Sequence, residues 1–187
     1  MSSRHDETVL DLENVPVLRF RVDGVPVPQG SKAIVTIKGK GEKAGRARLI
    51  ESADKATKTH KKNRLKNWRD RVHAAGARAR LEAGLELLNE DLVIGFLFVL
   101  PRPISHFTKS TRDKPKADRK FTAKARRDCA FPGVKPDLSK LIRGVEDGLE
   151  GAVFVNDSRI IGYRDPFKVY DDDQGVGVSV EVWRLDR

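Results

Sequence analysis

The chain has 187 residues, enough for one domain with a substantial core and short for two. It is 39% hydrophobic and 34% charged, with a net charge of +10 and a pI near 9.9, which predicts a folded protein whose partner is acidic: nucleic acid first, an anionic membrane surface or an acidic protein otherwise. One cysteine, Cys129, excludes an intrachain disulfide and a multi-cysteine zinc site, and four histidines at positions 5, 60, 73 and 106 make no ligand cluster.

Residues 1–14 read as a disordered polar leader: MSSRHDETVLDLENVP has acidic residues and none of the apolar run of a signal peptide. The remainder, 15–187, reads as one domain. Leu18, Phe20 and Val22 alternate with Arg19 and Arg21, which predicts a strand with one wet face, ending at the turn signal Asp23-Gly24. PVPQGSK follows as a loop. AIVTI and ARLI, separated by KGKGEKAG, predict a β-hairpin with a basic tip. Residues 59–84 predict a long helix, with Leu65, Trp68, Val72, Ala75 and Ala79 at helical spacing.

DLVIGFLFVLP predicts a central strand, apolar on both faces; its apolar run is too short for a bilayer, which needs ~20 residues. Residues 101–135 hold eleven Lys or Arg against three Asp with little periodicity, and read as a long, mobile basic loop. Leu138, Leu141, Ile142, Val145 and Leu149 predict an amphipathic helix, with Gly151 placed as its terminating glycine. RIIGY, PFKVY and VGVSVEVWRL predict two or three closing strands. The expected fold is α/β (α+β): a single domain with a small mixed sheet packed by two main helices.

The chemistry concentrates in KPDLSKLIRGVEDGLEGAVFVNDSR, residues 135–159. Each piece has an ordinary reading. Asp137 is well placed to cap a helix. Arg143, Glu146 and Asp147 suit a solvated helix face with weak internal ion pairs. Asn156-Asp157-Ser158 is turn composition. Together they allow another reading. A helix returning on a strand can bring Asp137 and Asp157 to one end of the unit, with Arg143 on the polar face. Carboxylates with a basic side chain, on a basic surface, suit oxygen-ligated Mg²⁺ and a phosphate.

The segment resembles the signature of the RusA family of Holliday junction resolvases, small Mg²⁺-dependent endodeoxyribonucleases of phages and prophages. That signature runs roughly [KR]-P-D-x-D-N-L-x-K-x-x-x-D-x-L, an apolar stretch, then D-D-[SA]-Q-[VI]. Here it stands as KPDLSKLIRGVEDGL, EGAVFV and NDSRI. GVPVPQGSK, ARLIESADKATK, KNWRDRV, LPRPISHF and the final G-V-x-V-E-V-W resemble the actinobacterial and phage branch, so the likeness spans about residues 18–185.

The resemblance implies an endodeoxyribonuclease that resolves four-way junctions and branched DNA by paired symmetric nicks. It implies a homodimer, Mg²⁺ with Mn²⁺ as a substitute, and the cytoplasm of a bacterium or phage-infected cell, without a membrane partner. Asp137, Asp157 and Arg143 fall on catalytic positions, with Asp137 and Asp157 as metal ligands and Arg143 where the family has a lysine. Asp147 falls on the helix aspartate. Ser139 replaces a family aspartate ligand and Asn156 the first aspartate of the pair. Ser139, through its hydroxyl or a bound water, and Asp147 or Glu146, through a carboxylate, are the candidates for the missing ligand. Lys32, Arg102, Lys135, Lys140 and Lys168 are the candidate DNA contacts. The competing expectation is a RusA-fold DNA-binding protein whose catalysis is weakened or lost.

Overall fold

The computed structural model describes residues 15–30, 32–36, 47–51, 63–128 and 131–185; the leader and the basic tip of the hairpin lie outside them. Strand β1 (Leu18–Asp23) turns Leu18 and Val22 into the core, as its alternation requires. It pairs antiparallel with the last strand, β6 (Gly177–Arg184), so that Val182, Val180 and Val178 lie opposite Leu18, Phe20 and Val22. Strand β4 (Leu92–Leu100) pairs antiparallel with β6 and parallel with β5 (Ile160–Tyr170), giving the order β1-β6-β4-β5. β4 is therefore an inner strand, and along it only Leu97 is exposed. The expected hairpin forms a separate antiparallel ladder of β2 (Lys32–Thr36) and β3 (Ala47–Glu51).

Helices α1 (Arg64–Glu82) and α3 (Leu138–Leu149) pack on each other and on the sheet. Leu65, Trp68 and Val72 of α1 and Leu141, Val145 and Leu149 of α3 are buried. The helices approach closely because glycine stands at the crossing. A Cβ on Gly148 would lie 2.9 Å from Val72 Cβ, and one on Gly76 2.8 Å from Val153 Cγ2. Among the described residues no helix is long and apolar enough to cross a membrane.

Of the two or three closing strands expected, two form, because RIIGY and PFKVY are one, β5. Its register against β4 shifts between Gly95 and Leu97, where Asp165 takes a positive φ of 44°. The shift reverses the alternation: Tyr163 points to the α3 layer, and after the bulge Lys168 does instead. Two in-phase fragments of opposite phase read as two strands because the period-2 pattern breaks between them.

The stretch read as an irregular loop contains 3₁₀ turns at Ile104–His106 and Lys116–Asp118 and helix α2 (Ala123–Asp128). Thr108 N donates to Lys120 O (2.8 Å) and Thr122 N to His106 O (2.9 Å), closing the segment on itself. Phe107 stacks on Phe121 at 5.3 Å. Arg102, a candidate DNA contact, is corrected here. Its side chain is 7% exposed, donates to both carboxylate oxygens of Asp172 (2.6 and 2.8 Å), and lies over the rings of Phe121 and Tyr170. It fastens the segment to the turn after β5 instead of facing a ligand. Lys116 does the same through the buried Asp171, at 2.7 Å.

Candidate functional site

Asp137 stands at the N-cap position of α3 with an extended backbone, yet its side chain makes no capping hydrogen bond. Its carboxylate instead receives Lys140 Nζ at 2.9 Å and is nearly half exposed. The Lys140 ammonium holds this carboxyl below the usual carboxylate range, with smaller contributions from Lys135 and Lys168. Lys168 reaches across from β5 and donates to Val134 O (2.8 Å) and Pro136 O (2.9 Å), tying the approach to the helix against the strand. Lys135, Lys140 and Lys168 thus gather around Asp137. Lys32 opens β2, and its side chain lies outside what is described.

A second acidic group forms further along α3. The Tyr163 hydroxyl donates to Glu146 Oε1 in a short hydrogen bond. Burial pushes the Glu146 carboxyl up. The Tyr163 hydroxyl partly offsets this, Asp147 and Asp157 push it up again, and Arg143 opposes them. Asp157 is exposed and opens the 3₁₀ turn Asp157–Arg159, where Asn156 Oδ1 accepts from Ser158 N at 2.9 Å. Asn156 therefore does the local capping, leaving the Asp157 carboxylate outside that bond.

The raised Glu146 carboxyl has a consequence for stability. The folded state holds this proton to higher pH than the unfolded chain, so stability is lost as pH rises from the ordinary glutamate range through the raised value. Glu146→Gln should raise the melting temperature at neutral pH relative to mildly acidic pH, flattening the thermal-melt pH profile; a profile parallel to wild type would contradict this.

The contacts Lys168–Pro136 and Tyr163–Glu146 fix the direction of α3: it runs antiparallel to β5. The expectation that Asp137 and Asp157 share one end of the unit is therefore overturned. Asp137 precedes the helix, beside the late part of β5. Asp157 precedes the strand, at its start, close enough to act on Glu146 and Tyr163. Asp137 and Glu146 alone are separated by roughly 13 Å along the helix axis. Among the described residues no three His, Cys, Asp or Glu side chains gather as metal ligands would.

Exposed Ser139 and Arg143 share a face of α3 with Glu146, by their i, i+4 and i+3 spacing. Asp147, another candidate ligand, points elsewhere. Its Oδ2 takes a short bond from Arg69 Nη2 of α1 and one of 3.1 Å from Gln29 Nε2. Backbone Gln29 N also donates to Lys140 O at 2.8 Å, seating the loop at Gln29 on the helix. Asp147 thus joins the loop, α1 and α3, and Gln29 and Arg69 are partners that spacing along the chain does not reveal. Asp147→Asn should cost at most about 1 kcal/mol, as for a partly exposed ion pair, read as a shift of the thermal melt; a much larger loss would contradict this.

The model of one protein family, described as Endodeoxyribonuclease RusA, matches residues 24–181, most of the chain. No curated protein matches it.

Proposed function

The chain belongs to the RusA family of endodeoxyribonucleases, which resolve Holliday junctions, and from that premise we propose that it cuts four-way DNA junctions with Mg²⁺ as a homodimer, nicking two opposed strands, each site being completed by both copies. The observation that carries the proposal is the state of Asp137: an exposed, readily ionised carboxylate that makes no capping hydrogen bond, paired with Lys140 and set among three lysines.

The donor set suits a hard cation in kind, since Asp137 and Asp157 offer carboxylate oxygens. It is too sparse within one copy, because α3 and β5 run in opposite directions and set the two apart. A two-fold axis removes the difficulty: it can bring Asp137 of one copy to Asp157 of the other, twice, and matches the symmetry of a four-way junction. Bound between them, Mg²⁺ would neutralise phosphate charge and make a water more acidic.

The chain's own groups do the rest. Lys135, Lys140 and Lys168 draw a phosphate to Asp137, which holds charge and is a poor proton acceptor at neutral pH because its carboxyl titrates low. Arg143 offers a planar fork to non-bridging phosphate oxygens. A second reading, DNA binding without cleavage, is favoured by Ser139 and Asn156 where the family carries carboxylates. Incubating the protein with a synthetic four-way junction and a linear duplex, with Mg²⁺ or with chelator, separates the two. Paired nicks in the junction with Mg²⁺ alone support resolution; metal-independent binding without nicks supports the second reading.

A further inference from the structure

We propose that residues 101–125 form a preassembled clamp for the sugar–phosphate backbone of a duplex DNA arm, placed at the Asp137 end of the molecule; the proposal rests on branched DNA being the substrate. Three observations carry it.

The first is charge. This stretch holds eight Lys or Arg against two Asp, more than half of the chain's net +10. The second is that half of these cations, four lysines, are not used to hold the segment together, whereas Arg119 donates to Lys114 O at 2.9 Å and lies over the Phe107 ring, and Arg112 pairs with Asp113. Its frame comes from the Phe107–Phe121 stack, the edge contact of His106 on Tyr170 at 5.0 Å, and the buried Thr111, whose hydroxyl accepts from Lys120 N at 2.9 Å and bonds Thr108 Oγ1 at 2.7 Å. Arg102 and Lys116 are spent as anchors on Asp172 and Asp171. The burial of Asp171 is outweighed by Lys116 and by the backbone N–H groups of Asp173 and Gly175, so its carboxyl titrates low and the anchor stays ionised. Lys109, Lys114, Lys120 and Lys124 remain exposed. Lys114 and Lys120 line a shallow depression of about 540 Å³ with Ser110, Thr111, Asp118 and Arg119. Hydroxyls and ammonium groups on a fixed frame are what a phosphate backbone needs, and they carry no base-reading geometry.

The third is position. The segment leaves the C-terminal end of β4 and is pinned to residues 170–172, just beyond the end of β5. Lys168, two residues earlier, holds the peptide before Asp137. A duplex whose phosphate rests at Asp137 therefore continues toward the clamp. Fixing the lysines in advance lowers the ordering cost that a flexible arm would carry on binding.

The test compares wild type with the fourfold variant Lys109→Ala, Lys114→Ala, Lys120→Ala, Lys124→Ala. Fluorescence anisotropy with a labelled four-way junction, in chelator, is recorded from about 50 to 300 mM KCl. The slope of log K against log salt should become shallower by about 3–4, since each lost phosphate contact removes ~0.9, and affinity at the low-salt end should fall by at least about tenfold. Replacing the same four lysines with arginine should keep the wild-type slope. An unchanged slope and affinity in the alanine variant would overturn the clamp, as would a loss of affinity for duplex RNA but not for DNA. Because binding is measured without metal, the two proposals fail separately. A wild type that binds steeply but never nicks removes the nuclease reading and leaves the clamp. A wild type that nicks beside an alanine variant with unaltered binding removes the clamp alone.

Discussion

Mixing the Asp137→Asn and Asp157→Asn variants should restore junction cleavage that neither variant shows alone. Each substitution by itself removes a charge from both sites of a homodimer, and each should lower the single-turnover rate by roughly 10²–10³-fold or more. Junction binding should persist, since the surrounding lysines are untouched. After subunit exchange, a mixed dimer carries one site in which the intact Asp137 of one copy meets the intact Asp157 of the other, and one site lacking both. Random re-association makes about half of all dimers mixed, so about a quarter of wild-type sites return. The products should be single nicks, because each mixed dimer has one working site. Gel analysis of both labelled strands reads this directly. If the exchanged mixture stays inactive while both variants bind the junction, the two aspartates act within one copy and the shared site is wrong. If either variant alone cuts at the wild-type rate, its assignment fails.

Gly144→Ala should destabilise the protein although it improves a helix on paper. Alanine in an exposed helix interior gains about 1 kcal/mol over glycine. At Gly144, however, the added Cβ would lie 2.6 Å from Val27 O and 3.4 Å from Gln29 N. Those are backbone atoms, and the loop that carries them is held to α3 by the Gln29–Lys140 bond of 2.8 Å. It cannot rotate away as a side chain would. The expected net loss is about 1–3 kcal/mol, or ~2–4 °C of melting temperature for each kcal/mol. Gly133→Ala, where an added Cβ meets nothing within 4 Å, is the control. A Gly144→Ala protein more stable than wild type would mean that the backbone of Val27 and Gln29 does not sit on the helix as described.

These two cases mark where the sequence is readable and where it is not. The apolar stripe of α3 and the alternation of β1 follow from period alone, and both emerge with most of the expected side chains buried, Phe20 and Leu138 only partly. β4 follows from an unbroken apolar run. What period cannot carry is direction. Asp137 and Asp157 are both visible as candidates, but only the Lys168–Pro136 and Tyr163–Glu146 contacts reveal that they mark opposite ends. Nor can local spacing reveal that Asp147 answers to Arg69 on α1 and Gln29 in a loop, or that Arg102 is a packing residue. The order of residues 101–125 escapes for the same reason. Ring contacts and ion pairs between distant positions hold it, and these leave no periodic trace.

The bulge in β5 also bears on how two copies of the proposed homodimer would meet. β5 is an outer strand, and an outer strand invites a neighbour to extend the sheet. Here Asp165 twists the backbone out of register and Pro166 brings no N–H, so a continuous ladder across the edge is interrupted at its middle. The sheet is thereby guarded against runaway lengthening on that side. The proposed homodimer, if joined on that side, would meet through side chains, which leaves its two-fold axis free to be set by the shared site.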